Sequence, residues 1–376
     1  MKPTLKQIAE RTGYSISTIS RSLANSPSIS KKTREDVQRA ASDVGYRPMT
    51  KKRPQRKKKK QLHFALLSDF RIGEFYASLF CGYRDASYKE DVRISLLSVR
   101  DQKEECVRFI QQVQRENNYD GFILFFPALE RQHYEEILKV LPSGFPIVSN
   151  ALIDNPNIAT ITFDSYSGGH LAAAHFHRQG FKRLGIIDGP VNRPESRFRS
   201  NGFLDYIHQH SDLELNWRFN GTYEFQSGVD AFQQFVAQKK GLISHQDEGS
   251  QIQAGFSGGD STENDEKREE PALPADAVFA TNDSMAMGFM ESAKSSGVRI
   301  PEDLAILGYD NLPSVHQRTP KLSSIDTDFI ELGVSSIKAL KNKIRKQGHK
   351  HGTLSLIPVH LENRESAELF RESNPG

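Results

Sequence analysis

The 376 residues include only two cysteines, Cys81 and Cys106, one tryptophan and five methionines. Two thiols far apart in sequence cannot staple a secreted scaffold. No Cys or His stands at the short spacings of a zinc site, so both sulfurs are expected as buried thiols in a reducing compartment. Long apolar runs are missing too. None approaches the roughly 20 residues that cross a bilayer, and the first residues make a polar, helix-forming segment in place of an export signal. A cytoplasmic protein with no membrane partner is expected. Catalytic signatures are also lacking: no nucleophile elbow with a His, no Walker-type glycine loop and no metal-ligand spacing, so no enzyme activity, cofactor or metal is expected. His175 and His177 lie two apart on a predicted helix and point away from each other.

What the chain does have is a lopsided charge. Residues 1–60 hold 17 Lys or Arg against 4 Asp or Glu, whereas the other 316 hold 33 against 43. A basic module joined to an acidic one fits a protein of which only the first part meets nucleic acid.

The basic module reads as three short helices. Thr4 caps the first, Gln7 completes a capping box, and Leu5, Ile8 and Ala9 share a face. Gly13 makes a turn and Ser15 caps a second helix, which Ile19 and Leu23 pack against the first. Ser30 caps the third, Val37, Ala40, Ala41 and Val44 form its apolar face, and Gly45 ends it. The second helix leaves Ile16, Ser17, Thr18, Ser20 and Arg21 facing outward. Serine and threonine are mediocre helix formers, so a purely structural helix would use Glu, Lys or Ala there. Short hydroxyls, an aliphatic group for a thymine methyl and an Arg for guanine or phosphate suit the edges of DNA bases instead.

With Thr-Leu-Lys-Gln-Ile-Ala (4–9), Gly-Tyr-Ser-Ile-Ser-Thr-Ile-Ser-Arg (13–21), Lys-Thr-Arg-Glu (32–35) and Gly-Tyr-Arg-Pro (45–48) in this order, the chain resembles the lactose repressor and galactose repressor family of transcription regulators. The resemblance implies a helix-turn-helix head over 1–48 that reads double-stranded operator DNA as a homodimer. Its contacts would come from Thr4, Leu5, Ser15, Ile16, Ser17, Thr18, Ser20, Arg21, Asn25, Ser30, Thr33, Tyr46 and Arg53. The family usually carries Asn three residues after the Arg; here Ala24 stands there and Asn25 follows. The linker, 49–61, departs further. Met49, Lys52 and Gln55 replace the Asn, Ala and Leu of the family's DNA-induced helix, leaving Arg53, and Pro54 would cost such a helix roughly 3 kcal/mol. Eight of the ten residues 51–60 are Lys or Arg, so an extended arm that meets phosphates or the minor groove by charge is expected, with no intercalating wedge.

From residue 62 short apolar runs alternate with helical stretches: 63–68, 92–99, 121–126, 147–149, 159–163, 184–187, 277–281 and 304–309. This alternation calls for doubly wound parallel sheets. Some 300 residues are too many for one sheet, and two lobes with a cleft at the strands' carboxyl ends follow. The motifs Phe-Asp-Ser-Tyr-Ser-Gly-Gly-His (163–170), Arg-Ser-Asn-Gly-Phe (199–203), Ala-Thr-Asn-Asp-Ser-Met-Ala (280–286), Ile-Leu-Gly-Tyr-Asp-Asn (306–311) and Glu-Asn-Arg-Glu-Ser (362–366) are similar to the family's effector core, itself like bilobed periplasmic sugar-binding proteins. The comparison implies an α/β core over 62–376, lobe one about 62–163 and 326–350, lobe two about 164–325 and 351–376. A polar run at 242–270 is expected as a disordered surface insertion.

The effector-binding residues implied are Arg199, Asn282, Asp310 and Asp164, whose donors and acceptors can read vicinal hydroxyls, with Tyr223, Phe75 and Tyr76 as apolar faces for a sugar ring. Asp164 could equally cap a helix, Asp310 brace a turn, and Arg199 pair with Asp310. The function expected is a transcription regulator, most simply a repressor, controlled by a small sugar-like effector. The competing expectation is a ligand-independent architectural DNA-binding dimer.

Overall fold

The structure is a computed structural model. It describes residues 3–46, 61–99, 103–116, 118–153, 157–239, 272–345 and 352–369, in two units, Met1–Lys60 and Gln61–Gly376. Arg53, all of the expected linker but Gln61, and the expected insertion at 242–270 lie outside the described residues.

The first unit is the three-helix head: α1 (Leu5–Thr12), α2 (Ile16–Leu23) and α3 (Lys31–Asp43). Gly13 closes α1 at φ 72°, a left-handed turn that glycine makes without strain. Ile8, Ile19 and Val37, one from each helix, are wholly buried and form the centre of a core completed by Ala40 and Ala41. Arg34 Nη2 donates to the Ser26 and Ile29 carbonyls at 3.2 and 3.0 Å, fixing the loop between α2 and α3.

The second unit has two six-stranded sheets. The first runs β11-β5-β4-β3-β1-β2 and is parallel throughout, from β1 (His63–Ser68), β2 (Arg93–Ser98), β3 (Gly121–Phe125), β4 (Ile147–Ser149), β5 (Ala159–Phe163) and β11 (Leu354–Ile357). The second runs β12-β10-β9-β8-β6-β7, from β6 (Arg183–Asp188), β7 (Glu214–Asn220), β8 (Ala277–Ala280), β9 (Ala305–Asp310), β10 (Ser323–Asp326) and β12 (His360–Glu362). Only β12 pairs antiparallel, at the edge. Helices cover the sheets: α4 (Glu74–Lys89), α5 (Lys103–Glu116), α6 (Arg131–Val140) and α11 (Phe329–Arg345) in lobe one, and α7 (Ser165–Gln179), α8 (Pro194–His208), α9 (Phe225–Lys239) and α10 (Asp283–Ser295) in lobe two.

The chain passes between lobes after Phe163, after Asp326 and after Ile357. The third passage corrects the sequence reading, which put it near 351: Leu354–Ile357 still pairs with β5 of lobe one. A strand of four residues is too short for its periodicity to be read from the sequence.

Each lobe keeps its central strands dry on both faces, which is why they read as unbroken apolar runs. Helix pairs meet at facing glycines. A Cβ on Gly169 would fall 1.8 Å from the Arg199 carbonyl oxygen, and one on Gly202 would fall 1.9 Å from that of Tyr166. This close approach of α7 and α8 sets the depth at which Arg199 sits.

Candidate functional site

The head presents α2 as the sequence anticipates. Ser15, in extended geometry, accepts from the Thr18 amide at 3.2 Å, so it caps α2, and its hydroxyl also meets those of Ser17 and Thr18 at 2.8 and 2.9 Å. Ile16 is 52% exposed, and Ser17, Ser20 and Arg21 are exposed. An aliphatic side chain left in water beside three polar ones packs nothing at home. Thr4 and Asn25 are exposed, the latter at φ 54°, while Leu5, Thr33 and Tyr46 are half-buried. Leu5 and Tyr46 pack on the head's core, and exposed Ser30 caps α3 by accepting from the Thr33 amide at 3.1 Å.

In the second unit the candidate residues gather near the carboxyl ends of the strands, where the two lobes face each other. From lobe two, β9 delivers Asp310 and α8 delivers Arg199. Arg199 Nη2 donates to Asp310 Oδ1 at 3.2 Å and Nη1 to the Thr281 carbonyl at 2.6 Å. The guanidinium lies 3.6 Å from the Tyr309 ring centroid, a cation–π contact. Burial works against the Arg199 charge, yet Asp310 and then the tyrosines keep its pKa raised. Burial pushes the Asp310 carboxyl up to about 6, with Arg199 pulling the other way. Behind it, Asp283 is raised well above the carboxylate range by its own burial and by Asp310. It accepts from Ser324 Oγ at 2.6 Å and the Leu312 amide at 2.7 Å.

Three more residues of the implied set are near this floor or its edge, each already occupied to some degree. Asp164 caps α7, accepting the Ser167 amide at 3.1 Å and hydroxyl at 2.6 Å. Asn282 caps α10 through Oδ1 to the Met285 amide at 3.0 Å, and its Nδ2 donates to the Tyr223 carbonyl at 2.9 Å. Tyr223 is thereby held 5.9 Å from the Arg199 guanidinium. Arg199 Nε is buried with no hydrogen bond among the described residues.

Lobe one supplies an aromatic wall. Phe75 stacks on Phe125 with centroids 5.8 Å apart and meets Phe329 edge-on at 5.4 Å, while Tyr76 meets Phe75 and Phe70. Both rings are half-buried at the start of α4. Sequence reasoning missed Glu74 just before them: its Oε2 accepts the Ser314 amide of lobe two at 3.2 Å, a bond across the cleft. It also missed Tyr309, whose adjacency to Asp310 was the only signal, and Glu195, one helical turn before Arg199.

His175 and His177 are turned to different partners, as expected. His175 Nε2 meets the Ala367 carbonyl at 2.8 Å and His177 Nε2 meets Asp212 at 3.1 Å. Among the described residues no group of His, Cys, Asp and Glu could hold a metal, and no helix is long and apolar enough to cross a membrane. Cys106 is buried, but Cys81 is exposed, a correction to the expectation of two buried thiols. It stands on the outer side of α4, in a groove with Phe80, Arg84, Tyr88 and Leu96 along the free edge of β2.

Comparison with known proteins agrees with this layout. Residues 4–49 match the bacterial regulatory proteins of the lacI family, 70–241 the periplasmic binding proteins and sugar binding domain of that family, and 173–367 a periplasmic binding protein-like domain. The HTH-type transcriptional repressor CytR of Escherichia coli K12 is 23% identical over 345 residues, 92% of this chain and 90% of that protein. The Lac repressor dimer bound to operator and the anti-inducer ONPF is similar with a TM-score of 0.65 at 21% identity, over 98% of this chain and all of the other. The CelR–cellobiose complex follows at 0.63 and 22%, over 97% of this chain and all of the other.

Proposed function

Since the chain belongs to the LacI family of bacterial regulatory proteins, we propose that it is a cytoplasmic, dimeric repressor that is not an enzyme. It reads a near-palindromic operator with α2 and changes its hold on DNA when a small polyhydroxylated ligand occupies the cleft. The observation that carries the reading is the outward face of α2, with half-exposed Ile16 beside Ser17, Ser20 and Arg21 on a head whose other large aliphatic side chains, among the described residues, are buried or half-buried. Two such heads, related by a twofold axis, fit successive major grooves. The groove along β2, where Tyr88 and Leu96 leave apolar surface uncovered at a free sheet edge, is a surface suited to the partner copy.

For the ligand, Arg199 and Asp310 provide the donors and acceptors, Asp164, Asn282 and Tyr223 the flanks, and Phe75 and Tyr76 the apolar cover. Asp310 is wired to the segments that join the lobes. Its carbonyl accepts from Thr327 at 3.1 Å, and neighbouring Asn311 accepts from Arg364 at 2.7 Å and bonds Asp326. A ligand that binds one lobe arrangement more tightly shifts operator affinity by that difference.

The test is selection of operator fragments from genomic DNA by the purified full chain, followed by competition binding. A near-palindromic site preferred about a thousandfold over random DNA is expected. No preference would overturn the reading. Calorimetry against sugars and nucleosides separates it from a ligand-independent architectural dimer, for which every ligand would be silent.

A further inference from the structure

Beside the cleft floor, the first turn of α8 contains a carboxylate with no side-chain partner among the described residues. Glu195 follows Pro194 in the first turn of α8 and stands four residues before Arg199, so the two side chains leave neighbouring points of the same helix face. No side chain hydrogen-bonds or ion-pairs with it among the described residues, and its one donor is its own backbone amide. Arg199 is spoken for by Asp310 and Thr281. Arg199 and Arg193 attract Glu195 only from a distance. The residue as a whole is half-buried, but its carboxyl is enclosed enough for burial to lift its pKa above the usual range.

Its surroundings are equally unfinished. Arg199 is 6% exposed yet its Nε has no partner, and the buried Arg193 Nη1 has none among the described residues. Glu195 is felt by Tyr223 and Asp310 in lobe two, and by Tyr134 in lobe one, which also feels Asp69. It is therefore within electrostatic reach of groups from both lobes.

A buried acceptor-only group asks for donors, and a buried charge asks for the opposite charge. A neutral hydroxyl would satisfy a lone pair and leave the charge. We propose that the ligand of this cleft is a polyhydroxylated molecule carrying a protonated amine, and that Glu195 is the residue that selects the ammonium group. The inference rests on the cleft being the effector site. Arg199 and Asp310 then take the hydroxyls, and Glu195 distinguishes the amine from its neutral counterpart.

The experiment is calorimetry of the full chain with matched pairs: glucose and glucosamine, galactose and galactosamine, mannose and mannosamine. At least one amino sugar is expected to bind about tenfold or more tighter than its neutral twin, a difference typical of one charged contact. In Glu195→Gln that ratio is expected to fall to within about twofold, the neutral twin binding as before. Equal or better binding of the neutral sugars, or a preference that persists in Glu195→Gln, overturns the inference and leaves the cleft reading standing. Silence of every sugar in both chains overturns both. A readout without ligand guards against misfolding: removing an uncompensated charge is expected to leave the thermal midpoint of Glu195→Gln equal to or above that of the parent. A clear fall would mean the carboxylate already has a structural partner.

Discussion

The Arg199 guanidinium donates to the Asp310 carboxylate at 3.2 Å with side chains only 7% and 5% exposed. A pair so enclosed is not a source of net stability, but breaking it strands a charge. Arg199→Met, which leaves the Asp310 carboxylate buried without its partner, is therefore expected to destabilise the core by about 3–5 kcal/mol at neutral pH. Replacing both partners, Arg199→Met with Asp310→Asn, is expected to cost less than Arg199→Met alone, since the stranded charge is gone. The Asp310 backbone sits at φ 109°, which Asn tolerates better than most residues, so the second substitution probes charge and not strain. Urea unfolding of the parent and the two variants decides it; a larger loss in the double variant would show that Asp310 is held by its other contacts.

The same pair predicts a pH dependence. Burial holds the Asp310 carboxyl up at about 6 in the folded chain, above its ordinary value of 3.8, so the folded form binds the proton more tightly. The stability this group contributes is present in full below its unfolded value and is lost as pH rises through about 6. Compared with Asp310→Asn, which does not titrate, the parent is expected to lose thermal stability between pH 4.5 and 7. The opposite sign would mean that Arg199 outweighs burial and holds the carboxyl down.

Much of this architecture was legible in the sequence because the central strands are dry on both faces. The runs at 63–68, 147–149 and 159–163 match β1, β4 and β5 end to end. β7, β10, β11 and β12 were not named as strands. β7 and β12 are edge strands with mostly uncovered faces, β11 shows three exposed residues, and β10 is four residues with two serines. Arg199 and Asp310 could be matched to the site by motif, and their pairing followed from opposite charge, although Arg199 stands on α8 and only Asp310 at a strand end. Glu195 could not be singled out, since spacing alone does not tell an enclosed carboxylate from a solvated one in a helix's first turn. Asp164 and Asn282 show the reverse case, in which a residue type suited to binding is also the type that caps helices.

The glycine contact between α7 and α8 ties packing to the cleft. Gly169→Ala gains a little helix propensity, but its methyl group must displace the Arg199 backbone. A net cost of about 1–3 kcal/mol is expected, together with weaker binding of any ligand that uses Arg199. Urea unfolding and calorimetry on one preparation test both. Unchanged affinity in a destabilised chain would show that Arg199 returns to its place when α8 is pushed away.

Thiol chemistry checks the surface assignment of α4. Cys81 is exposed and Cys106 buried, so a disulfide reagent is expected to titrate one thiol within seconds to minutes and the second only on unfolding. In the dimer Cys81 lies in the groove proposed for the partner copy, and its rate should fall as protein concentration rises through the dimerisation range. A rate independent of concentration would place the partner elsewhere.

The most direct prediction concerns α2. Arg21 is exposed at its last turn, Ser17 at its first, and neither side chain packs in the head's core. Ala at either position should leave the head folded, since Ala is the better helix former. If Arg21 reads a base, Arg21→Ala costs about 1–3 kcal/mol against the operator and little against random DNA, so that discrimination falls. If it touches phosphate alone, both affinities fall together and the slope of log affinity against log salt drops by roughly 0.9. Ile16→Ala is expected to act at one thymine position only, through its methyl contact. Competition binding to the selected operator and to a scrambled duplex, at two salt concentrations, separates these outcomes. Discrimination unchanged in Arg21→Ala, Ser17→Ala and Ile16→Ala alike would remove α2 as the reading element.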